Sequence, residues 1–244
     1  MNFTGGCGNE PLSALTVAPA LVSDCVDDTG RPLPASDLIL LDWDGAITSL
    51  YPDTEFAGID LSLFPVYLGG TLADQADAFR EEVRQQVISI FCDNPNFSID
   101  VRHAEDAADW TGPVTRIVIA QSLSPIGGQI GEAEYDPCNS RRGNIGLIYA
   151  EQILRLDDKF TYDEWVLAFA NTIAHEIGHT LGYAHVSRDD WSFAGRGLYV
   201  ELMLPRHTID ELVGEQRFVT DQDTCPSDGN AKSAHDGLVT CGHD

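Results

Sequence analysis

Three histidines within one short window, residues 175–185, constrain this chain more than any other feature of its sequence. They fit H-E-x-x-H-x-x-G-x-x-H, with Glu176 after the first histidine and Gly182 before the third. His175 and His179 lie four positions apart, so on a helix both imidazoles face the same side and can reach one metal ion. Gly182 can adopt the left-handed conformation that ends a helix, and the resulting turn brings His185 to the same ion.

The residue types predict the chemistry of this site. Three neutral nitrogen ligands leave the fourth position of a tetrahedral zinc ion open, which is typical of catalytic rather than structural zinc. Glu176 is not needed as a ligand and can act as general base on a metal-activated water. One catalytic Zn2+ is therefore the expected cofactor. The alternative is a core helix that carries three histidines by chance, and the number of specified positions disfavours it.

The motif resembles that of the metzincin clan of zinc endopeptidases. Members of the clan also carry a methionine in a tight turn beneath the metal. Met203, in Leu202-Met203-Leu204-Pro205, is the candidate here, and the Leu-Met-x-Pro form looks like the matrixin version. Val186, directly after the third histidine, fits none of the metzincin families, and the gap from His185 to Met203 is longer than in matrixins. The resemblance thus implies the clan and leaves the family open.

The predicted elements run in the order strand, helix, several strands, motif helix, loop and helix, which indicates an α+β fold with a mixed sheet. The metzincin resemblance implies a twisted mixed sheet with two long helices above a cleft, and a loop-rich lower subdomain with a C-terminal helix. We expect an extended N-terminal segment over residues 1–37, a catalytic domain over 38–220 that divides near residue 182, and a disulfide-pinned tail over 221–244.

Hydrophobic periodicity and capping signals place the elements. Apolar residues from Leu72 to Ile90 predict one helix, with Thr71 and Asp74 as its capping residues. A capping box over Thr161–Glu164 opens the motif helix, and another over Thr208–Glu211 opens a helix that runs to about Phe218. Residues 44–70 look irregular. Strands are predicted over residues 38–43, 97–103, 114–120, 131–135 and 146–150.

Two further residues are candidates for lining the cleft. His207 follows the methionine turn. Gly131 belongs to the segment Gly128 to Glu134, which could pair with an extended substrate as an added edge strand. In metzincins the segment after the methionine turn walls the pocket next to the scissile bond, and the resemblance places that wall at about Pro205 to Leu212.

The net charge of −25 argues against nucleic acid and anionic membranes as partners, because both are polyanions. The sequence has no apolar run long enough to span a membrane. The expected partner is a protein or peptide substrate, and the protein is expected to be a monomer. Bound calcium is a further candidate, at Asp42 and Asp44 or at Asp221, Asp223 and Asp228, although a solvated acidic surface explains the charge more simply.

The cysteines form no C-x-x-C pair, so neither a cysteine zinc site nor a redox motif is expected. An even, dispersed set is typical of disulfides in an oxidising compartment, and reduced buried thiols in a cytoplasmic protein are the alternative. Residues 1–6 lack a secretory signal, as in a mature secreted form. Sequence order suggests the pairs Cys7–Cys25, Cys92–Cys138 and Cys225–Cys241, one set among many.

The sequence therefore predicts a secreted zinc-dependent endopeptidase that hydrolyses peptide bonds with Glu176 as general base. The alternative is a catalytically silent zinc protein that binds a peptide or glycoprotein. The intact Glu176 argues against silence, because a binding module has no need of a general base. A metalloprotease dedicated to one peptide or glycoprotein target is a third interpretation.

Overall fold

The structure is a computed structural model. It describes residues 22–26, 31–35, 37–92, 99–107, 110, 112, 114–125, 127–136, 143–157, 159–185, 200–204 and 207–218. Strands in this part of the chain are β1 (Val22–Val26), β2 (Pro32–Pro34), β3 (Asp37–Asp42), β4 (Gly45–Ile47), β5 (Glu55–Ala57), β6 (Ile99–His103), β7 (Thr115–Ala120), β8 (Gly131–Ala133), β9 (Ile145–Tyr149), β10 (Val200–Glu201) and β11 (Gln216–Arg217). Helices are α1 (Ala76–Cys92), α2 (Ala150–Leu154), α3 (Tyr162–Thr180) and α4 (Ile209–Leu212).

A five-stranded, mostly parallel sheet forms the centre of the molecule. Its strands lie in the order β6-β3-β7-β9-β8, and only β8, at one edge, runs antiparallel to its neighbour. Every residue of β3 is buried, as expected of a parallel strand that is covered on both faces. The fold is thus a mixed α/β arrangement, and the predicted mixed sheet is present with strand bounds close to those expected.

Two long helices cover one face of this sheet. The predicted stripe on α1, with Phe79, Val83 and Val87, is fully buried in the same core as Phe169 and Ile173 of α3. The predicted capping boxes are also present, since Thr71 pairs with Asp74 before α1 and Thr161 pairs with Glu164 at the start of α3. Each of these apolar side chains contributes about 1.5–3 kcal/mol by leaving water, so the core fixes α3 firmly on the sheet.

The hairpin of β4 and β5 covers the opposite face near the β8 edge. Phe56 packs there with Leu147 and Tyr149 of β9, and Leu50 and Tyr51 from the loop between β4 and β5 pack against them. Residues 44–70, which we expected to be irregular, therefore contain an ordered antiparallel hairpin. The N-terminal segment likewise contains an antiparallel pair, β1 with β2, that the sequence did not predict.

The predicted C-terminal helix is much shorter than expected, and its extension to about Phe218 was wrong. Helix α4 ends at Leu212 because Asn171 of α3 donates hydrogen bonds to the carbonyls of Leu212, at 2.7 Å, and Gly214, at 2.9 Å. The chain then forms β11, which pairs in parallel with β10. A tertiary contact from a distant helix thus overrides the local helical signal.

The calcium and disulfide predictions fall partly on residues outside the described ranges. Asp42, a calcium candidate, is buried, accepts the N–H of Asp44 at 3.0 Å and is paired with Arg116, so it forms a turn and an ion pair. Cys92 is disulfide-bonded, and its predicted partner Cys138 lies outside the described residues, so the pairing stays a prediction. Also outside are Val186, Pro205 and the tail after residue 218, which holds the calcium candidates Asp221, Asp223 and Asp228. Within the described part, no helix has the length and apolar character that crossing a bilayer demands.

Candidate metal centre

The motif helix and the turn after it bring three imidazoles together. His175 and His179 lie on the last turns of α3, and Gly182, with φ of +99°, reverses the chain so that His185 approaches both. The Nε2 atom of His185 lies 3.2 Å from that of His175 and 3.1 Å from that of His179. The predicted convergence of the three rings is therefore present.

The other ring nitrogens show which atoms face the centre of this cluster. His175 Nδ1 donates to the carbonyl of Leu202 at 2.7 Å, and His179 Nδ1 donates to the carbonyl of Tyr183 at 2.8 Å. A carbonyl only accepts, so in both neutral rings the proton is on Nδ1 and Nε2 presents a lone pair. These lone pairs converge on His185, whose single ring proton cannot bridge to both. A cation between the three rings removes this conflict.

The separations fit zinc. Zn–N bonds of about 2.0–2.1 Å in a tetrahedron place neighbouring nitrogens about 3.3 Å apart, close to the observed 3.1 and 3.2 Å. Burial lowers the pKa of His175 well below its usual range, lowers that of His179 to about 4 and also lowers that of His185. All three rings are therefore neutral near pH 7, which is the form that binds metal. The cluster fits a zinc site.

Met203, the candidate for the methionine turn, packs against the helix that carries the first two histidines. Its side chain is fully buried and packs against Gly178, where an added Cβ would lie 2.6 Å from the Met203 sulfur. The carbonyl that holds His175 belongs to Leu202, the preceding residue. The turn thus fixes one histidine ring directly and supports the helix backbone between the first two. No sequence pattern indicated that Gly178 packs against Met203.

The side chain of Glu176, on the motif helix, lies against the edge of the sheet. A Cβ on Gly131 of β8 would lie 2.4 Å from its Oε1 atom, and a Cβ on Gly146 of β9 would lie 3.5 Å from its Cβ. Burial raises the pKa of Glu176 to about 8, and the charge of Glu132 adds to the shift. Gly131, predicted to line the cleft, therefore contacts the predicted general base.

Two other rings lie beside the histidine cluster. The half-buried ring of His207, a predicted cleft residue, has its centroid 6.1 Å from that of His175. Among the described residues, it is not one of the side chains that could share a single ion with the triad. The ring of Tyr135, just after β8, is 43% exposed and lies 6.4 Å from that of His179. Sequence patterns gave no signal for Tyr135.

A buried polar pair holds the last turn of α3. Asn144 Nδ2 donates to Asp136 Oδ2 at 3.0 Å and to the carbonyl of Thr180 at 3.2 Å. The N–H of Asp136 donates to the carbonyl of His179 at 3.3 Å. Carbonyls at a helix C-terminus have no hydrogen-bond donor within the helix. Here the chain between β8 and β9 supplies the donors. No periodic pattern could have indicated this pair.

No protein-family model matches the chain. Among solved structures, it is similar to the crystal structure of archaemetzincin from Methanopyrus kandleri, at 13% sequence identity and a TM-score of 0.39. The superposition covers 75% of this chain and 87% of that chain.

Proposed function

We propose that this chain is a zinc-dependent endopeptidase, in which His175, His179 and His185 hold the metal and Glu176 is the general base. The observation that carries the proposal is the convergence of three ring nitrogens beside the buried side chain of Glu176, with His185 Nε2 lying 3.2 Å from His175 Nε2 and 3.1 Å from His179 Nε2. When bound, zinc would polarise a peptide carbonyl and lower the pKa of water at its open position.

The protein's own contribution to the reaction is a positioned proton carrier. Glu176 is buried, and without metal this burial raises the pKa of its carboxyl group to about 8. The positive charge of bound zinc would favour the carboxylate form, which would accept a proton from the attacking water and then donate it to the leaving amine. The peptide bond is broken by addition of water, with no covalent intermediate on the protein. Burying a carboxylate costs stability, and a silent binding module would gain nothing from that cost.

An extended peptide is the substrate that the edge of the sheet favours. β8 is the last strand of the sheet, and Ile130 O and Glu134 N form hydrogen bonds with β9. Because successive residues direct their backbone groups to opposite sides, those of Gly131 and Ala133 point away from β9, to the edge that no strand of the described residues covers. We call this side of β8 its open edge. A peptide that adds here as a strand passes beside Glu176.

The cellular setting is part of the same proposal. An extracellular location agrees with the disulfide at Cys92, because disulfides persist in oxidising compartments. Calcium binding and the monomeric state stay predictions.

The proposal is tested by comparing wild type with Glu176→Gln, and with Glu105→Gln as a control at an exposed position. Zinc content is measured by elemental analysis, and cleavage is followed by mass spectrometry on a peptide library. We expect stoichiometric zinc in all three proteins. Cleavage is expected only in wild type and Glu105→Gln, lost with a chelator and restored by zinc. Zinc without cleavage of any peptide or glycoprotein would favour the silent binding protein, and absence of zinc would remove both functions.

A further inference from the structure

The edge strand beside the metal centre is also held from the opposite face of the sheet. Side chains alternate along a strand, so Gly131 and Ala133 face α3, while Glu132 and Glu134 face the β4–β5 hairpin. The contact of Gly131 with Glu176 identifies the face toward α3. The hydrogen bonds of Glu132 and Glu134 identify the face toward the hairpin.

Two hydroxyl groups converge on one oxygen of Glu132. Tyr51 OH and Tyr149 OH each donate to Glu132 Oε2 at 2.9 Å. Beside them, Ser49 Oγ donates to Glu134 Oε1 at 2.9 Å, and the N–H of Ile145 donates to Glu134 Oε2 at 3.2 Å. We call Ser49, Tyr51, Glu132, Glu134 and Tyr149 the carboxylate clamp. It joins β8 to its neighbour β9 and to the loop between β4 and β5.

β8 needs such support because it is short and lies at the edge of the sheet. It has three residues and, among the described strands, pairs with β9 alone, and a short edge strand is among the first parts of a fold to open. Hydrogen bonds to a carboxylate are stronger than those between neutral groups. Tyr149 is fully buried on the rigid strand β9, so one of the two hydroxyls on Glu132 is itself firmly placed.

The position of β8 affects both the proposed general base and the proposed substrate-binding edge. On the α3 face, Gly131 limits the space around the carboxylate of Glu176. At the open edge, the backbone groups of the same strand are those available to an extended peptide. A small movement of β8 therefore changes both the general base and the binding edge.

We infer that Glu132, held by Tyr51 and Tyr149, is a positioning residue that fixes β8 beside Glu176 and keeps its open edge ready for an extended peptide. The catalytic part of this inference rests on the proposed endopeptidase function. The structural part does not require activity.

The test combines hydrogen exchange with kinetics on the full chain. Hydrogen exchange is followed in peptides covering residues 130–136, and kcat and KM are measured on an extended peptide taken from the library screen. We expect Glu132→Ala to speed exchange in β8 and to raise KM about tenfold, the equivalent of one lost hydrogen bond to a charged group. Zinc content is expected to stay at the wild-type level.

Conservative variants separate positioning from a general loss of stability. Glu132→Gln is expected to change exchange and KM much less than Glu132→Ala, because its amide oxygen can accept the same two hydroxyls, although these bonds are weaker than those to a carboxylate. Tyr51→Phe removes one hydroxyl and is expected to show a smaller change in the same direction. Tyr67→Phe is the matched control, since it removes an exposed hydroxyl from a different loop.

The inference is overturned if Glu132→Ala has the hydrogen exchange and KM of wild type. It is also overturned if Glu132→Gln changes exchange and KM as much as Glu132→Ala does. If Glu132→Ala does not fold, Tyr51→Phe decides by the same two measurements. If wild type binds no zinc or cleaves no peptide, the proposed function fails, and the exchange comparison alone decides whether the clamp fixes β8.

Discussion

Gly131 and Glu176 are in such close contact that no side chain fits between them. A Cβ on Gly131 would lie 2.4 Å from Glu176 Oε1 and 2.8 Å from its Cγ and Cδ atoms. The atom nearest to this position is the end of a flexible side chain, so the fold can accept an added methyl group by moving the carboxylate. We therefore expect the movement to lower catalytic activity more than the free energy of unfolding.

Gly131→Ala is therefore expected to fold and bind zinc but to lose activity. Misplacement of a catalytic group by about 1 Å can cost on the order of 100-fold in rate, so we expect kcat to fall by about that factor. Circular dichroism, zinc content and kcat on a library-derived peptide would check this. Wild-type turnover in a folded, zinc-loaded variant would contradict the assignment of Glu176.

Removal of a metal ligand is expected to abolish the stabilisation of the folded protein by zinc. A ligand that binds only the folded state raises its stability as the ligand concentration rises. Wild type should therefore show a Tm that increases with added zinc, whereas His185→Ala should not. His207→Ala is the matched control, because its ring lies beside His175 but outside the cluster. An equal zinc response in His185→Ala would exclude the triad as the binding site.

Asn144→Ala tests the polar pair that holds the last turn of α3. It leaves the carbonyl of Thr180 and the carboxylate of Asp136 without this donor, which we expect to cost about 1–3 kcal/mol of unfolding free energy. Loss of a residue that orients a metal ligand weakens metal affinity by about 10–100-fold. Urea denaturation and zinc competition measure the two effects. Thr172→Val, which removes a buried hydrogen bond within α3, should lower stability without the same loss of zinc affinity.

The pKa of Glu176 predicts how stability depends on pH when zinc is removed. In the folded protein its pKa is about 8, above its ordinary value of 4.5, because of burial and then the charge of Glu132. Folding therefore takes up a proton between these two values, and stability is present below pH 4.5 and lost as the pH rises through 8. Urea denaturation with chelator at several pH values should show this loss in wild type. Glu176→Gln should lack it, and parallel profiles in the two proteins would refute the assignment.

The sequence predicted the elements whose signals are local. The capping boxes before α1 and α3 were recognisable because Thr and an acidic residue lie three positions apart. His175 and His179 were recognisable for a similar reason, since a spacing of four places both rings on one side of a helix. His185 follows the helix and reaches the same side through the turn at Gly182. Met203 was found through the metzincin resemblance.

The contacts that were missed join residues far apart in the chain. Asn171 ends α4 from a distant helix, and Asn144 holds the end of α3 from the loop before β9. Tyr51 reaches Glu132 across 81 positions of sequence. Such pairs depend on the register and order of strands, which no periodic pattern of a single segment specifies. The close packing of Gly178 on Met203 was missed for the same reason.

The open edge of β8 has one more consequence for the protein, which concerns its solubility. A strand with outward backbone groups can recruit a second copy of itself as readily as a substrate, and this is a known route to aggregation. Here two identical edges would bring Glu132 and Glu134 of both molecules together. Each molecule also carries a charge of −25, so repulsion opposes the pairing. The acidic charge thus opposes aggregation through this edge strand, and salt, which screens the repulsion, weakens that protection.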